Sequence, residues 1–457
     1  MKQIQIPRIV FGAASSGSGK TTITCGILQA LKNRGLEVAS FKCGPDYIDP
    51  MFHSKVIGTK SRNLDSYLAP ENIVKYLFAN TSFDMDLSVI EGVMGYYDGL
   101  GGVSTKASTY DIASITQSPT ILILNGKGMS LSLIATLLGF LSYRKDSNIK
   151  GIILNHMSPM FYETIKGKVE EELKIPVLGY VPKLQELSID SRHLGLISPD
   201  EVEGFKEKII SLAKVFEETL DLDKIIEIAK SAPVLEYEIP KIPYCKHTVR
   251  IGIARDEAFS FYYEDNLDLL KQMGAELCYF SPIKDKELPK GLDGLIFGGG
   301  YPELHAKELS SNKSMRASIM KAVVDGMPCI GECGGFLYLH DELEDAQGVS
   351  YPMVGVIQAK AYKTHRLQRF GYIELESLCT SVIGEPRSHL RAHEFHYYES
   401  GMPGDDFMAT KPIGNRTYPC IHGKENVLAG FPHLYLYGNV EAAYQLIEAC
   451  LRYRDNK

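Results

Sequence analysis

No two cysteines of this chain stand in a C-x-x-C pair, although it has nine in 457 residues. That absence argues against a zinc cage and against a disulfide framework, and scattered thiols fit a reducing cytoplasm. Long apolar runs are missing as well. The richest stretches, such as Leu131 to Leu141, fall far short of the roughly 20 residues a membrane helix needs. There is no basic excess either: the formal net charge is −7, which argues against a general nucleic-acid surface and leaves small anionic ligands open. The first residues, Met1-Lys-Gln-Ile-Gln-Ile-Pro7, lack the charged start and apolar core of a secretory signal. The expectation is a cytoplasmic protein with neither a membrane nor a nucleic acid as partner. Hydrophobic residues at 44% and charged residues at 23% exclude disordered and fibrous classes.

What is present is a chain too long for one hydrophobic core; a prior of roughly 150 residues per domain gives two or three, and two are expected here. In the first half, short β-type runs alternate with helical ones: Ile9 to Phe11, Val38 to Phe41, Leu87 to Ile90, Ile121 to Leu124, Ile152 to Leu154 and Val177 to Tyr180. Such alternation predicts right-handed βαβ units and a mostly parallel sheet with ligands at the carboxyl ends of the strands. Residues 232–248 carry three prolines and little periodicity. We place a first domain at 1–235, a linker at 236–248 and a second α/β domain at 249–457, where strand-like Val249 to Ala254 restarts the pattern. Residues 350–435 read as richer in strands and turns, and Val440 to Arg452 as a closing helix.

Two local patterns carry chemistry. Directly after Ile9-Val10-Phe11 comes Gly12-Ala-Ala-Ser-Ser-Gly-Ser-Gly-Lys20-Thr21-Thr22, followed by an amphipathic run from Ile23 to Leu31. Strand, glycine loop and helix form a phosphate cradle: backbone N–H groups wrap the oxygens, Lys20 reaches the outer phosphates and the Thr21 hydroxyl suits Mg²⁺. Ser16, Gly17, Ser18, Gly19, Lys20, Thr21 and Thr22 are the candidate ATP-binding residues. The match is a relaxed one, because Ala14 stands where the strict pattern has glycine. The second pattern, Pro328-Cys-Ile-Gly331-Glu332-Cys333-Gly334-Gly335, is an apolar strand, a sharp turn bearing one cysteine, and a helix start. This is the geometry of a nucleophile elbow, in which the helix N-terminus favours a thiolate. The same cysteine also fits a small buried hydrophobe. Near the chain end, Gly430-Phe-Pro-His433 offers a histidine that can meet Cys333 in the fold or serve the core. The strand Leu292 to Phe297 ends in Gly298-Gly299-Gly300, whose N–H groups, with that of Gly334, suit a developing oxyanion; Gly299 and Gly334 are the candidates.

Taken together, Gly17-Ser-Gly-Lys20-Thr-Thr, Phe41-Lys-Cys-Gly-Pro-Asp46-Tyr47-Ile-Asp49-Pro, Arg62-Asn-Leu-Asp65, Glu91-Gly-Val-Met-Gly-Tyr-Tyr-Asp98-Gly, Arg192-His-Leu-Gly-Leu196, Gly298-Gly-Gly-Tyr-Pro-Glu303, Gly331-Glu-Cys333-Gly-Gly and His393-Glu-Phe-His396 resemble, in order and spacing, the cobyrinic acid a,c-diamide synthase family of corrinoid-forming amidotransferases. The resemblance runs nearly the full length. It implies a phosphate-loop synthetase domain similar to dethiobiotin synthetase, with a parallel sheet, followed by a class I, cysteine-dependent glutaminase-like α/β domain. It implies ATP with Mg²⁺, L-glutamine, and cobyrinic acid or a related tetrapyrrole as ligands, with ammonia passing from the glutaminase to an acyl phosphate. Phosphorylation makes sense chemically, because a carboxylate is a poor electrophile until its oxygen becomes a good leaving group.

Asp46 follows the second strand and Glu91 ends Leu87 to Ile90, so with Thr21 they form a candidate Mg²⁺ set. Tyr47, Asp65 and Asp98 match family positions near the substrate; a turn-stabilising role suits Asp98 equally well. Many cysteine glutaminases carry Glu two residues after the catalytic histidine, whereas Leu434 and Tyr435 follow His433 here, which leaves the third partner open. His393 and His396 are three apart rather than the four of H-E-x-x-H, so a substrate-side or interdomain role is expected there instead of zinc. Competing readings are a diamide synthase for a tetrapyrrole such as nickel sirohydrochlorin and a non-catalytic ATP switch. A glutaminase has no use in the switch.

Overall fold

The computed structural model describes residues 1–184 and 199–457; the Arg192 to Leu196 motif lies outside them. The chain divides into two compact units, Met1–Pro240 and Lys241–Lys457. In the first, seven strands form one parallel sheet: β1 (Arg8–Ala13), β2 (Val38–Cys43), β3 (Lys60–Leu64), β4 (Leu87–Glu91), β5 (Thr120–Asn125), β6 (Ile149–Asn155) and β7 (Val177–Val181), in the order β3-β2-β4-β1-β5-β6-β7. Strands β1, β2 and β4 are buried at every position, as expected of a parallel sheet covered on both faces. The chain runs outward on one side of β1 and then crosses to the other. A crevice therefore opens beyond the carboxyl ends of β1 and β4, where the glycine loop and Glu91 lie.

One strand was not legible as such. Lys60-Ser-Arg-Asn-Leu64 has no apolar period, yet it pairs in register with Ala39 to Cys43 and ends the sheet as an edge, where polar residues are tolerated. Helix α1 (Lys20–Asn33) packs against the helix Pro199–Thr219 through Gly26; a Cβ there would come 2.3 Å from the Phe216 ring. Antiparallel pairing of Lys2–Ile4 with Leu235–Tyr237 returns the end of the unit to its start.

The second unit has its own five-stranded parallel sheet. It comprises β8 (Val249–Ala254), β9 (Ala275–Phe280), β10 (Gly294–Phe297), β11 (Cys329–Glu332) and β16 (Val427–Gly430), ordered β9-β8-β10-β11-β16. An antiparallel sheet follows, built from β12 (Arg369–Ser377), β13 (His389–His396), β14 (Phe407–Thr410), β15 (Thr417–Cys420) and β17 (His433–Leu434), ordered β15-β14-β12-β13-β17. The closing helix is Val440–Asp455. Among the described residues, no helix is long and apolar enough to cross a membrane.

A fully buried cation ties the first unit together. Arg8 has no exposed surface, and its guanidinium donates to the carbonyls of Thr116 at 2.7 Å, Pro233 at 2.7 Å and Ile6 at 3.2 Å. Burial pulls its pKa down to about 10. The guanidinium also reaches the Gln117 carbonyl at 3.4 Å, so replacing a donor that serves four carbonyls strands them. Arg8→Met is expected to lower the unfolding free energy of this unit by about 3 kcal/mol, read from the urea midpoint by circular dichroism. An unmoved midpoint would show that these carbonyls find other donors.

Candidate active site

The first site grows from the turn between β1 and α1. Gly17 and Gly19 adopt φ values of 73° and 88°, the left-handed region that glycine enters without strain. Gly19 is constrained further: Asn155 Nδ2, at the end of β6, donates to the Ser18 carbonyl at 2.8 Å, and a Cβ on Gly19 would lie 2.3 Å from that nitrogen. Sequence reading missed Asn155, which lies 137 residues from its partner. Ser16 is exposed, Ser18 is buried with its hydroxyl 3.2 Å from that of Ser15, and Thr22 is half-buried on the first turn of α1. Lys20 Nζ donates to the carbonyls of Ser15 and Met94. Burial, then the Lys42 charge, push its pKa down to about 8, against the pull of Glu91, Asp98 and Asp49.

Behind the loop lies a buried charge cluster. The Thr21 hydroxyl donates to Glu91 Oε1 at 2.6 Å, and Lys42 Nζ approaches the same oxygen at 2.7 Å while also contacting Asp49. His53 Nε2 is 3.2 Å from Glu91 Oε2. Burial alone would raise the Glu91 carboxyl; Lys42 and His53 more than offset it and hold the group well below the usual carboxylate range. Lys42 is the mirror case, lowered by burial but raised overall by Asp49 and Glu91. Lys42, Asp49 and His53 were not among the site residues expected from sequence. Lys42 and Asp49 lie within the quoted Phe41 to Pro50 motif, and a lysine in a buried strand is the signal that could have marked the first.

The residues present fit a magnesium ion. Asp49 Oδ1 is a buried oxygen with no hydrogen-bond donor among the described residues, and with the Glu91 carboxylate and the Thr21 hydroxyl it forms a hard-oxygen set of the kind Mg²⁺ takes alongside phosphate and water. Asp46 is employed differently: its Oδ1 accepts from Ile48 N–H at 2.8 Å, ahead of the short helix Ile48–Phe52, while its charge is felt by Lys42 and Asp49. The geometry favours Asp49 over Asp46 as the second carboxylate. Two of the three expected substrate residues are engaged with backbone. Asp65 Oδ1 accepts from the N–H groups of Tyr67 and Leu68 at 2.8 and 2.9 Å, and Asp98 Oδ2 from Gly95 N–H at 2.9 Å. Tyr47 is buried at the start of the Ile48–Phe52 helix.

The second site lies where β11 ends. Cys333 has φ 47° and ψ −101°, a conformation that disfavours any side chain. Its own N–H donates to the Gly430 carbonyl at 2.8 Å, and Gly335 N–H to Gly298 at 3.0 Å. A Cβ on Gly335 would meet the Phe297 carbonyl at 2.1 Å, so glycine is required for the turn to close on β10. The structure brings Cys333 and His433 together: their side chains hydrogen-bond. The His433 ring lies against Gly299, where a Cβ would sit 2.6 Å from Cε1. Glu332, the residue immediately before the cysteine, places Oε2 3.8 Å from His433 Nδ1 and accepts from Leu434 N–H at 3.3 Å. It puts a carboxylate near the imidazole, which Leu434 and Tyr435 do not supply. Burial works against the imidazolium, but Cys333, through charge and hydrogen bond, and then Glu332 raise His433 to about 10.

One refinement concerns the oxyanion loop. The Gly299 carbonyl accepts from Ser260 and Phe261 N–H at 3.1 and 3.0 Å, and in a trans peptide the following N–H points the opposite way. That amide belongs to Gly300, whose nitrogen lies 2.9 Å from the position a Gly334 Cβ would take. The geometry favours Gly300 over Gly299 as partner to the Gly334 amide. The His393 to His396 stretch runs along β13, where a three-residue separation puts side chains on opposite faces. His393 pairs across the ladder with His433 and is pushed down to about 3 by burial and then by that neighbour, whereas His396 stacks on Phe431 with ring centroids 3.8 Å apart. No cluster of three or more His, Cys, Asp or Glu side chains suited to a metal occurs among the described residues.

Comparison with known proteins matches residues 9–197 to the CobQ/CobB/MinD/ParA nucleotide binding domain and residues 250–440 to the CobB/CobQ-like glutamine amidotransferase domain. Full-length relatives include the cobyrinate a,c-diamide synthases of Listeria innocua serovar 6a, 40% identical over 97% of this chain and 99% of its own length, and of Dehalococcoides mccartyi strain CBDB1, 38% identical over 97% and 98%. The Clostridium tetani protein of the same name is 40% identical over 96% of this chain and 99% of its own.

The raised His433 fixes the sign of a pH effect. Its imidazolium is complete well below pH 10 and is lost as pH rises through about 10. Glu332→Gln removes one of the two groups that sustain it, so the midpoint of the His433 Cε1–H resonance should move to lower pH in an NMR titration. Glutamine kcat/KM should fall about tenfold. A midpoint unchanged by the substitution would remove Glu332 from the site.

Proposed function

The chain belongs to the cobyrinate a,c-diamide synthase family, amidating ligases of cobalamin biosynthesis, and on that premise we propose that it converts the a- and c-acetates of cobyrinic acid to amides using ATP and glutamine. The observation that carries this reading is Cys333, held at a left-handed elbow and hydrogen-bonded to a buried histidine, in the same chain as a phosphate loop.

Cys333 Sγ attacks the glutamine side-chain carbon, and the oxyanion is met by the amides of Gly334 and Gly300. His433 delivers a proton to the departing ammonia, and the thioester left on the sulfur is then opened by water. In the other unit, an acetate oxygen of the macrocycle attacks the γ-phosphorus of ATP. ADP leaves, ammonia adds to the acyl phosphate carbon, and inorganic phosphate departs as the amide forms. Lys20 and the N–H groups of Gly17 to Thr22 hold the phosphates. Thr21, Glu91 and Asp49 would hold Mg²⁺, which neutralises charge on the β- and γ-phosphates when bound. Lys42 pairs with both carboxylates in a buried setting and holds Glu91 ionised. These are small-molecule partners.

Two substitutions separate the halves. Cys333→Ser is expected to abolish glutamine-dependent diamide formation while sparing synthesis fed by ammonia. Lys20→Ala should abolish both while glutamine hydrolysis stays measurable. A Cys333→Ser protein that still uses glutamine, or that loses the ammonia reaction as completely while remaining folded, would sink the two-site reading.

A further inference from the structure

The first unit carries a second feature that the phosphate chemistry does not use. Two open cavities of about 540 and 270 Å³ adjoin each other, because Tyr97 and Tyr143 line both. The smaller is floored by aromatic and small side chains. The Tyr97 and Phe140 rings stack with centroids 5.7 Å apart and 16° between planes, and the Tyr143 ring stands edge-on to Tyr97 at 4.9 Å. The Tyr97 hydroxyl donates to the Phe140 carbonyl at 2.7 Å, which pins the ring to the helix Ser132–Tyr143. The larger cavity is polar and is lined by Asp98, Ser104, Thr105 and Arg144. Arg144 is exposed, its guanidinium carbon is 5.2 Å from the Tyr143 ring centroid, and it forms no ion pair among the described residues.

The location gives these cavities a use. Tyr97 and Asp98 follow directly on the turn whose Met94 carbonyl receives Lys20 Nζ and whose Gly95 amide is capped by Asp98. Asp98 thereby joins the larger cavity to the turn that meets Lys20. The Asp98 carboxylate is held by Gly95 and lies in the field of Lys20, which leaves Arg144 as a lining cation with no ion pair among the described residues.

We propose that the Tyr97–Phe140–Tyr143 shelf and Arg144 form the site that takes one face and one edge of the polycarboxylate macrocycle. In this arrangement the aromatic shelf covers the flat conjugated ring, and Arg144 pairs with a rim carboxylate that is not being phosphorylated. This assignment rests on the function proposed above and deepens it: it says which residues hold the ring so that an acetate reaches the phosphate loop. Planar guanidinium over an aromatic face is suited to a ligand that presents both a π surface and carboxylates.

The test uses the full chain, cobyrinic acid as the probe, its visible absorbance to follow binding, and ammonia as nitrogen donor so that the glutaminase is not involved. Arg144→Ala should raise the macrocycle Kd and KM about tenfold, the scale of one charge-assisted pair, with kcat little changed. Arg144→Lys should recover part of the loss, and Tyr143→Ala should weaken binding without altering the KM for ATP. Both positions are exposed, so the variants are expected to fold. If both alanine variants bind the macrocycle as the wild type does while the wild type amidates it, this assignment fails and the proposed function stands. If the wild type hydrolyses glutamine and binds ATP but neither binds nor amidates the macrocycle, both fail.

Discussion

A carboxylate with no exposed surface has to be neutralised where it stands, and Glu91 is such a group. Leaving a charge like this unpaired costs several kcal/mol even after relaxation, so its partners are obligatory. They come from different parts of the unit: Thr21 from the first turn after the glycine loop, Lys42 from the neighbouring strand, and His53 from the π-helical turn His53–Ile57 beyond it. Holding one anion thus sets the positions of the loop, two strands and a connecting turn. The ammonium of Lys42 is shared with Asp49; it holds Glu91 ionised, whereas burial pushes the Asp49 carboxyl up against the pull of the same ammonium. The same arrangement leaves Asp49 Oδ1 without a hydrogen-bond donor among the described residues, an oxygen open to a hard cation.

The second unit solves a different problem, that of keeping a side chain in a backbone conformation it resists. A residue in the region that Cys333 occupies stores on the order of 1–3 kcal/mol of strain. The packing around it leaves no alternative: its N–H is bound to Gly430, Gly335 is pressed against Phe297, and Gly334 against Gly300. The strain is borne by the parallel sheet and exposes sulfur at the sheet's ligand-binding end, next to His433. β17 brings its Leu434 amide to the Glu332 carboxylate, which sets the residue before the cysteine 3.8 Å from the imidazole. Adjacent residues point to opposite sides of a strand, and the turn at 333 is what lets Glu332 and Cys333 address the same imidazole.

Much of this was readable from the chain because it depends on local spacing. A glycine loop between an apolar strand and an amphipathic helix has few other structural uses, and a cysteine flanked by glycines at a strand end announces its turn. The alternation of apolar runs anticipated the parallel sheet. What escaped notice had no local signature. Lys60–Leu64 became a strand only because Val38–Cys43 offered it a ladder. Asp46 and Asp49 look equivalent in sequence, and the short helix Ile48–Phe52 decides which carboxylate is drawn onto its own backbone and which is left buried beside Lys42.

By itself the sequence determined the two α/β units, the phosphate loop, the cysteine and the histidine, since those follow from hydrophobic period and from residue types that few other roles demand. Only the tertiary structure brought the Glu332 carboxylate near His433, turned the Gly299 carbonyl towards Ser260 and Phe261, and gathered Asn155 onto the phosphate loop and Lys42 and His53 onto Glu91. The reason is physical. Each of these depends on where a peptide plane points or on which distant strand lies alongside, and direction and adjacency between strands are settled by sheet order and burial, not by the spacing of residues along the chain.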